Sequence, residues 1–264
     1  MSAIDTVYTS ATNPGAGPTA FAADAGDSLN VRDFNAATAT ATLRQLIRRG
    51  ATAGYARVRS PRFHDNVTGI NMYSAETVDT LSFPAELGQP LYPNDSLIVE
   101  GSGGAAETDA AVLSIYYSDL GGISARLASP GDILPLVKSV KAFQVAAPAG
   151  ASAWTDTLIT TTENQLHADE DYALLGYRSS AACAAVGIKG QETGNLRICG
   201  PGTTTTLDTS DWFLRMSKDS GMPYIPVFNA NNRGSIYVSA IDVAAIAGLV
   251  VTLFCVELSQ RAPV

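Results

Sequence analysis

The strongest chemical pattern in the sequence is a run of arginines between positions 44 and 62. Six of the 17 basic residues of the chain fall in these 19 positions, and no acidic residue interrupts them. The planar guanidinium group makes bidentate contacts with carboxylate and phosphate groups, which lysine cannot match. The segment therefore predicts a surface that contacts anions. Its residues are Arg44, Arg48, Arg49, Arg57, Arg59 and Arg62.

Two interpretations of this arginine segment are open. In the first, the arginines contact an anionic partner, which is packaged nucleic acid, lipid headgroups or the acidic face of a neighbouring subunit. In the second, they pair with some of the 25 acidic side chains of the same chain. The net charge of −8 argues against a general nucleic-acid binder. Because uncompensated cations repel one another at short range, we expect the segment to lie at an interface, with a neighbouring subunit as the favoured partner.

The remaining candidate sites for catalysis or metal binding are weak. The segment 167–171, His-Ala-Asp-Glu-Asp, offers oxygen ligands for a hard cation but lacks the spacing of a calcium loop. His64 and His167 are the two histidines, and no Gly-x-Ser-x-Gly motif accompanies them. We therefore predict that the protein is not an enzyme and requires neither a cofactor nor a metal.

Cysteine use and hydropathy bear on the compartment. The chain has three cysteines at wide spacing, Cys183, Cys199 and Cys255. This odd number and this spacing fit neither a disulfide framework nor a zinc site. No signal peptide is visible at the N-terminus. The uncharged run Val243–Val256 is shorter than the ~20 residues of a membrane-spanning helix, so we expect a buried strand there and no transmembrane segment. These features favour synthesis in a reducing cytoplasm.

Local patterns predict an all-β chain with one short helix. Twelve short apolar runs, among them Gly54–Arg59 and Asp211–Met216, alternate with turn signals and are typical of antiparallel sandwiches. A helix is predicted from Asn35 to Gly50, although the Ala-Thr alternation at 36–42 fits a strand equally well. Residues 1–30 are small and turn-forming, so we expect a flexible N-terminal arm, with Tyr8 and Phe21 able to anchor it against a neighbour.

The two halves of the chain share an ordered series of similar segments. Val112–Leu120 matches Val250–Leu258 without a gap, and residues 83–99 match 222–238 at nearly the same offset. Weaker matches join 54–57 to 176–178 and 66–72 to 192–198. Any two sandwiches share apolar strands by chance, but the conserved order of the segments favours a duplicated fold. The predicted layout is an arm (1–30), a first sandwich (31–128), a linker (129–137) and a second sandwich (138–264).

The tandem layout is combined with paired segments that end in Ser118-Asp119-Leu120 and Val256-Glu257-Leu258. In these features the chain resembles the double jelly-roll major capsid proteins of tailless icosahedral DNA viruses and phages. The resemblance implies a structural virion protein that self-assembles into an icosahedral shell, as a homo-oligomer, with trimers tiled into a larger lattice. It places the protein in the capsid, where other virion proteins are further partners.

Composition agrees with an assembling subunit, because only 16% of the residues are charged and charged residues are depleted at interface cores. The alternative is a phage or bacterial accessory β-sandwich module that binds carbohydrate or another capsid protein. The loop Tyr224–Asn229 resembles an aromatic ligand loop, but a similar stretch at 91–94 indicates a repeated structural loop instead.

Overall fold

The computed structural model describes residues 2–24, 26–63, 65–83, 87–159, 166–202 and 207–264. His64 lies outside the described residues. Within these ranges the α-helices are α1 (Pro130–Ile133) and α2 (Trp212–Ser220), and 3-10 turns lie at Leu134–Leu136, Gln191–Thr193 and Ala230–Ser235. The strands are β1 (Ala3–Thr12), β2 (Thr19–Ala20), β3 (Ala22–Ala23), β4 (Ala41–Arg49), β5 (Gly54–Arg59), β6 (Ile70–Ser74), β7 (Val78–Ser82), β8 (Gln89–Leu91), β9 (Ile98–Ser102), β10 (Thr108–Tyr117), β11 (Leu127–Ala128), β12 (Val137–Ala146), β13 (Gly150–Ala151), β14 (Thr155–Leu158), β15 (Asp171–Ser179), β16 (Cys183–Gly190), β17 (Arg197–Gly202), β18 (Ile225–Asn229), β19 (Ile236–Asp242) and β20 (Val250–Leu258).

The strands of the described ranges pair into four sheets, two from each half of the chain. Outer sheet 1 runs β2-β9-β5-β6, and inner sheet 1 runs β3-β1-β10-β4-β7 with β8 also paired to β4. Inner sheet 2 runs β13-β19-β16-β17 with β14 also paired to β19, and outer sheet 2 runs β11-β18-β15-β20-β12. Apart from the short β13–β19 pair, every pairing between the strands given above is antiparallel.

The two halves have the same topology. In chain order, the eight strands of the first jelly roll are β1, β2, β4, β5, β6, β8, β9 and β10. Their counterparts in the second jelly roll are β12, β14, β15, β16, β17, β18, β19 and β20. In both halves one sheet joins the first, eighth, third and sixth of these strands, and the other joins the second, seventh, fourth and fifth. This strand order is that of an eight-stranded jelly roll with two Greek keys. The predicted all-β fold of two tandem jelly-roll sandwiches is confirmed.

The two sandwiches stack on each other, so that four sheets lie in the order outer 1, inner 1, inner 2, outer 2. Between the inner sheets, Tyr8 and Val112 pack with Ala185, Cys199 and Ile241 in one buried cluster. Strands of the inner sheets are therefore buried on both faces, and β10 has a single residue that is not buried. Strand β5 of outer sheet 1 instead alternates buried and half-buried residues, because one of its faces meets solvent.

The predicted flexible arm is wrong for most of its length. Strand β1 pairs with β10 over ten consecutive residues, from Ala3 opposite Tyr117 to Thr12 opposite Thr108. It is the first strand of the first jelly roll, and the two sandwiches bury it from both sides. Tyr8 and Phe21 are buried within their own chain rather than held for a neighbour. The small side chains suit a strand that is packed between two layers, which the sequence pattern alone did not indicate.

The predicted helix at Asn35–Gly50 is also wrong, because residues 41–49 form strand β4. Leu43 and Leu46 face the core of the first sandwich and Ile47 faces the second sandwich. A bulge near Arg44 shifts the register, so the apolar residues fall at a spacing that imitates a helix. The longer helix is α2, which includes most of the stretch Asp211–Met216 that was predicted as a strand.

The structure gives matching positions to some of the repeated segments. Segment Val112–Leu120 includes the second half of β10, and segment Val250–Leu258 is β20, so the two segments do belong to the eighth strand of their jelly rolls. The match of 83–99 to 222–238 likewise aligns β9 with β19. The match of 54–57 to 176–178 is wrong, because β5 is a fourth strand and β15 is a third.

The segment between the sandwiches is short. Residues 129–137, the predicted linker, contain α1 and a 3-10 turn, and β11 immediately before them pairs with β18 of the second sandwich. None of the helices in the described ranges is long and apolar enough to cross a membrane.

Candidate functional site

The outer part of the arginine segment lies on the solvent face of outer sheet 1. Arg57 and Arg59 are two residues apart on β5, so both side chains point to the same face. Both donate through Nε to Oε2 of Glu100 on β9, at 2.8 and 2.9 Å, and Arg59 Nη2 also donates to Oε1 at 2.9 Å. The hydrogen bonds from Arg59, together with Arg57, lower the pKa of Glu100 to about 2. Two cations share one anion, so this triad keeps a net positive charge.

A cleft lies beside this triad. It has a volume of about 510 Å³, and Val67 at its rim is 74% exposed. Arg62 lies nearby, with its guanidinium carbon 5.7 Å from the ring centre of Tyr92. The cleft combines cations with apolar surface, which suits an anionic group attached to an apolar body. Its lining residues are Arg57, Arg59, Pro61, Asn66, Val67 and Ile98.

The inner part of the segment contains a buried ion pair. Arg48 on β4 donates through Nη2 to Asp109 on β10 at 2.8 Å, and both side chains are at most 1% exposed. Burial raises the pKa of Asp109 to about 6, against the opposing effect of Arg48. A side chain at Gly103 would place its Cβ 2.1 Å from Asp109, and one at Gly54 would place it 2.6 Å from Arg48. The pair is thus enclosed by backbone and has no route to an outside partner.

Arg44 is also fully buried. It lies at the β4 bulge and donates through Nη2 to the backbone carbonyl of Phe83. Desolvation lowers the pKa of this guanidinium group. Arg44 and Arg48 were predicted as contacts with an external anion, and this part of the prediction is wrong because neither side chain reaches the surface.

Arg49 joins the two sandwiches. It lies at the end of β4 and donates through Nε and Nη2 to the two carboxylate oxygens of Asp242 on β19, at 2.8 and 3.2 Å. Asp242 is 2% exposed, and its Oδ1 also accepts the backbone N–H of Ala184 at 3.1 Å. The acidic face that Arg49 meets belongs to the second sandwich of the same chain.

The arginine segment therefore divides into a buried part and an exposed part. The interpretation that the arginines pair within the chain holds for Arg48, Arg49, Arg57 and Arg59. Alternation along β5 was enough to place Arg57 and Arg59 side by side. Their partner Glu100 is 41 residues away from Arg59, and Asp242 is 193 residues away from Arg49, so no local signal could identify them.

The acidic segment 167–171 does not form one cluster of ligands. Asp169 accepts from Asn231 Nδ2 at 2.5 Å, and the first sandwich repeats this contact between Asp33 and Asn94 at 3.0 Å. In each sandwich the contact links the loop after the second strand to the loop after the sixth. The repetition indicates a structural role for Asp169.

Glu257 on β20 lies close to two lysines and a histidine. It is 1% exposed, and it contacts Lys138 at 2.7 Å, Lys141 at 3.4 Å and His167 at 3.2 Å. The hydrogen bond from Lys138 is the main cause that lowers the pKa of Glu257 to about 2. These contacts fix the edge strand β12 to β20.

Comparisons with known proteins give faint likenesses. No protein-family model matches the chain, and no curated protein matches it. Among solved structures it is similar to the PBSX exported protein XepA, with 10% sequence identity, a TM-score of 0.28, and coverage of 97% of this chain and 86% of that one. It is also similar to the major capsid protein P2 from bacteriophage PM2, with 8% identity, a TM-score of 0.27, and coverage of 99% and 100%. At these TM-scores the likenesses carry no argument about function, and the fold is defined by the strand order above.

Proposed function

We propose that this protein is a major capsid subunit that self-assembles into an icosahedral shell. The observation that supports this most is the stacking of two jelly rolls into one body with a sheet face exposed at each end. A body of this kind offers two broad faces for contacts with neighbouring copies. The proposed working form is a trimer within a larger lattice in the virion, with other virion proteins as further partners.

The distribution of charge supports a structural role. The most exposed members of the arginine segment are Arg57, Arg59 and Arg62, which lie beside a cleft of mixed polarity. Tyrosine and arginine are enriched at protein interfaces, and Tyr73, which is 71% exposed, lies on the same sheet face. We propose that this face contacts a neighbouring subunit. Lipid headgroups and packaged nucleic acid are the competing anions.

Assembly of the purified full chain tests the proposal. Size-exclusion chromatography with light scattering, followed by negative-stain electron microscopy, is expected to show trimers or closed particles as the protein concentration rises. Added salt is expected to weaken the association, because charges on an exposed face are screened. A compact monomer at every concentration that binds immobilised glycans would contradict the proposal and favour the accessory module.

A further inference from the structure

One wall of the cleft on outer sheet 1 consists of Arg57 and Arg59, and both side chains are already held in place. Glu100 accepts from Nε of both arginines and from Nη2 of Arg59, so one carboxylate fixes two guanidinium groups side by side. A long surface side chain usually loses conformational freedom when it binds a partner, and that loss weakens binding. Because Glu100 has already imposed this order, the arginine wall is prepared for an anion.

Hydrogen-bond donors remain on the arginine wall after Glu100 has been satisfied. Arg57 contacts Glu100 through Nε alone, so its two terminal nitrogens have no hydrogen-bond partner among the described residues. Nη1 of Arg59 is likewise unused in the described part of the chain. Since a guanidinium group can donate to two oxygens of one anion at once, these N–H groups suit an anion with several oxygens.

The other side of the cleft is apolar. It is formed by Pro61, Val67 and Ile98, with the amide of Asn66 beside them. Oδ1 of Asp65 accepts the backbone N–H groups of residues 67 and 68 at 3.1 and 2.8 Å, which fixes the loop that carries Val67. The cleft volume of about 510 Å³ is typical of small-molecule sites, which measure roughly 300–1,000 Å³. It exceeds the volume that a free phosphate ion fills.

We propose that this cleft binds a phosphate group that is attached to an apolar body. The phosphate lies against Arg57 and Arg59, and the apolar body lies along Pro61, Val67 and Ile98. Phosphate is favoured over carboxylate, because a phosphate ester offers three acceptor oxygens and about 1.5–2 negative charges at neutral pH to a wall with many unused donors.

The site is contained in one copy of the chain. The inference therefore goes beyond the proposed function and does not depend on self-assembly. Tyr73 does not line the cleft, so the rest of this sheet face stays available for a neighbouring subunit when the cleft is occupied.

Three small probes test the two halves of the ligand. Calorimetric titration of the full chain compares phenyl phosphate with inorganic phosphate, which lacks the apolar body, and with benzoate, which lacks the phosphate. Phenyl phosphate is expected to bind at least about tenfold more tightly than either of them. Benzoate that binds as tightly as phenyl phosphate would overturn the assignment of phosphate, and inorganic phosphate that does so would overturn the apolar half of the site.

Substitutions locate the binding in the cleft. Arg57→Gln should raise the dissociation constant of phenyl phosphate at least about tenfold, because it removes hydrogen bonds to a charged group. Val67→Ala should raise it about three- to tenfold and leave inorganic phosphate unaffected. Arg261→Gln removes an exposed cation beside a different pocket and is the matched control, which should bind like the wild type. Thermal melts check that each variant folds.

Vesicles distinguish the two sources of such a phosphate, a soluble ester and a lipid headgroup. The wild type and Arg57→Gln are sedimented with vesicles of phosphatidylcholine, with and without phosphatidic acid. Binding that requires both phosphatidic acid and Arg57 assigns the phosphate to a lipid, whereas binding of phenyl phosphate without vesicle binding assigns it to a soluble ester. Binding of neither probe, or equal binding by Arg57→Gln and the wild type, would overturn the inference and leave the proposed self-assembly untouched.

Discussion

The inner and outer sheets use arginine in different ways, although all these arginines come from one short stretch of sequence. Between β4 and β10, Arg48 has one carboxylate partner, Asp109, and the pair is sealed from water. On outer sheet 1, Arg57 and Arg59 share Glu100 and remain 21% and 29% exposed. A buried pair is destabilising when one partner is lost, whereas exposed pairs contribute little to stability and stay open to a partner. Position in the layers therefore decides what each arginine can do.

The largest expected effect comes from breaking the sealed pair. Asp109→Asn leaves the Arg48 cation buried without its anion, and arginine does not give up its proton, so the free energy of unfolding should fall by about 3–5 kcal/mol. Urea denaturation followed by fluorescence measures this loss. The double variant Arg48→Met/Asp109→Leu removes both charges, so its free energy of unfolding should fall by less than that of Asp109→Asn. An Asp109→Asn variant as stable as the wild type would contradict the role assigned to this pair.

Glu257 is expected to show the next largest effect, and the effect depends on pH. Its pKa in the folded protein is about 2, below the ordinary 4.5, so its ionised form stabilises the fold above pH 4.5. The difference in unfolding free energy between wild type and Glu257→Gln should be about 2–3 kcal/mol at pH 7. It should shrink as the pH falls from about 4.5 towards 2.

Urea denaturation of the wild type and of Glu257→Gln at pH 7, 5, 4 and 3 measures how this difference in unfolding free energy depends on pH. Glu100→Gln is the matched control from an exposed face, because Glu100 also has a pKa of about 2 but is less buried. At pH 7, Glu100→Gln should lower the free energy of unfolding by less than Glu257→Gln does. A Glu257→Gln difference that does not change with pH would show that the carboxylate charge is not the cause.

A smaller effect is expected at the contact between the sandwiches. Asp242→Asn removes the charge that Arg49 meets, while its amide oxygen can still accept the backbone N–H of Ala184. The expected loss is about 1–2 kcal/mol, in the range of a hydrogen bond to a charged group. Because the contact joins two sandwiches, unfolding should also become less cooperative. Calorimetry that shows one unchanged transition would contradict this.

The smallest effect on stability is expected on the outer face. Replacing Arg57 and Arg59 together by Gln should change the unfolding free energy by no more than about 1 kcal/mol, since exposed pairs contribute little. Assembly should weaken clearly, and its response to salt should diminish. Sedimentation velocity at two salt concentrations measures both. Normal assembly with an unchanged salt response would show that these arginines pair only within their own chain.

The layers also explain how far the fold could be predicted from the sequence. On outer sheet 1, one face is buried and the other meets solvent, so apolar and polar residues alternate along β5. Because of this alternation, the strand was predicted correctly from the sequence. In inner sheet 1, burial of both faces removes the alternation from β4, so its leucines resembled a helix. Strand β1 lacked a recognisable pattern for the same reason. Alternation along β5 was enough to predict that Arg57 and Arg59 lie side by side. Their acidic partner Glu100, and the buried Asp109 that pairs with Arg48, could not be predicted, because these pairings depend on strand register.

The pairing of β1 with β10, and of β12 with β20, sets an order of events during synthesis. In each jelly roll the first strand is held by the last, so neither sandwich can close until its final strand has left the ribosome. Contacts this distant in sequence fold slowly. The first sandwich can close once residue 117 has emerged, yet its face around Tyr8 and Tyr116 then stays bare until inner sheet 2 is made. During that interval the nascent chain exposes an apolar sheet, and chaperone binding or rapid translation of the second half would protect it from aggregation.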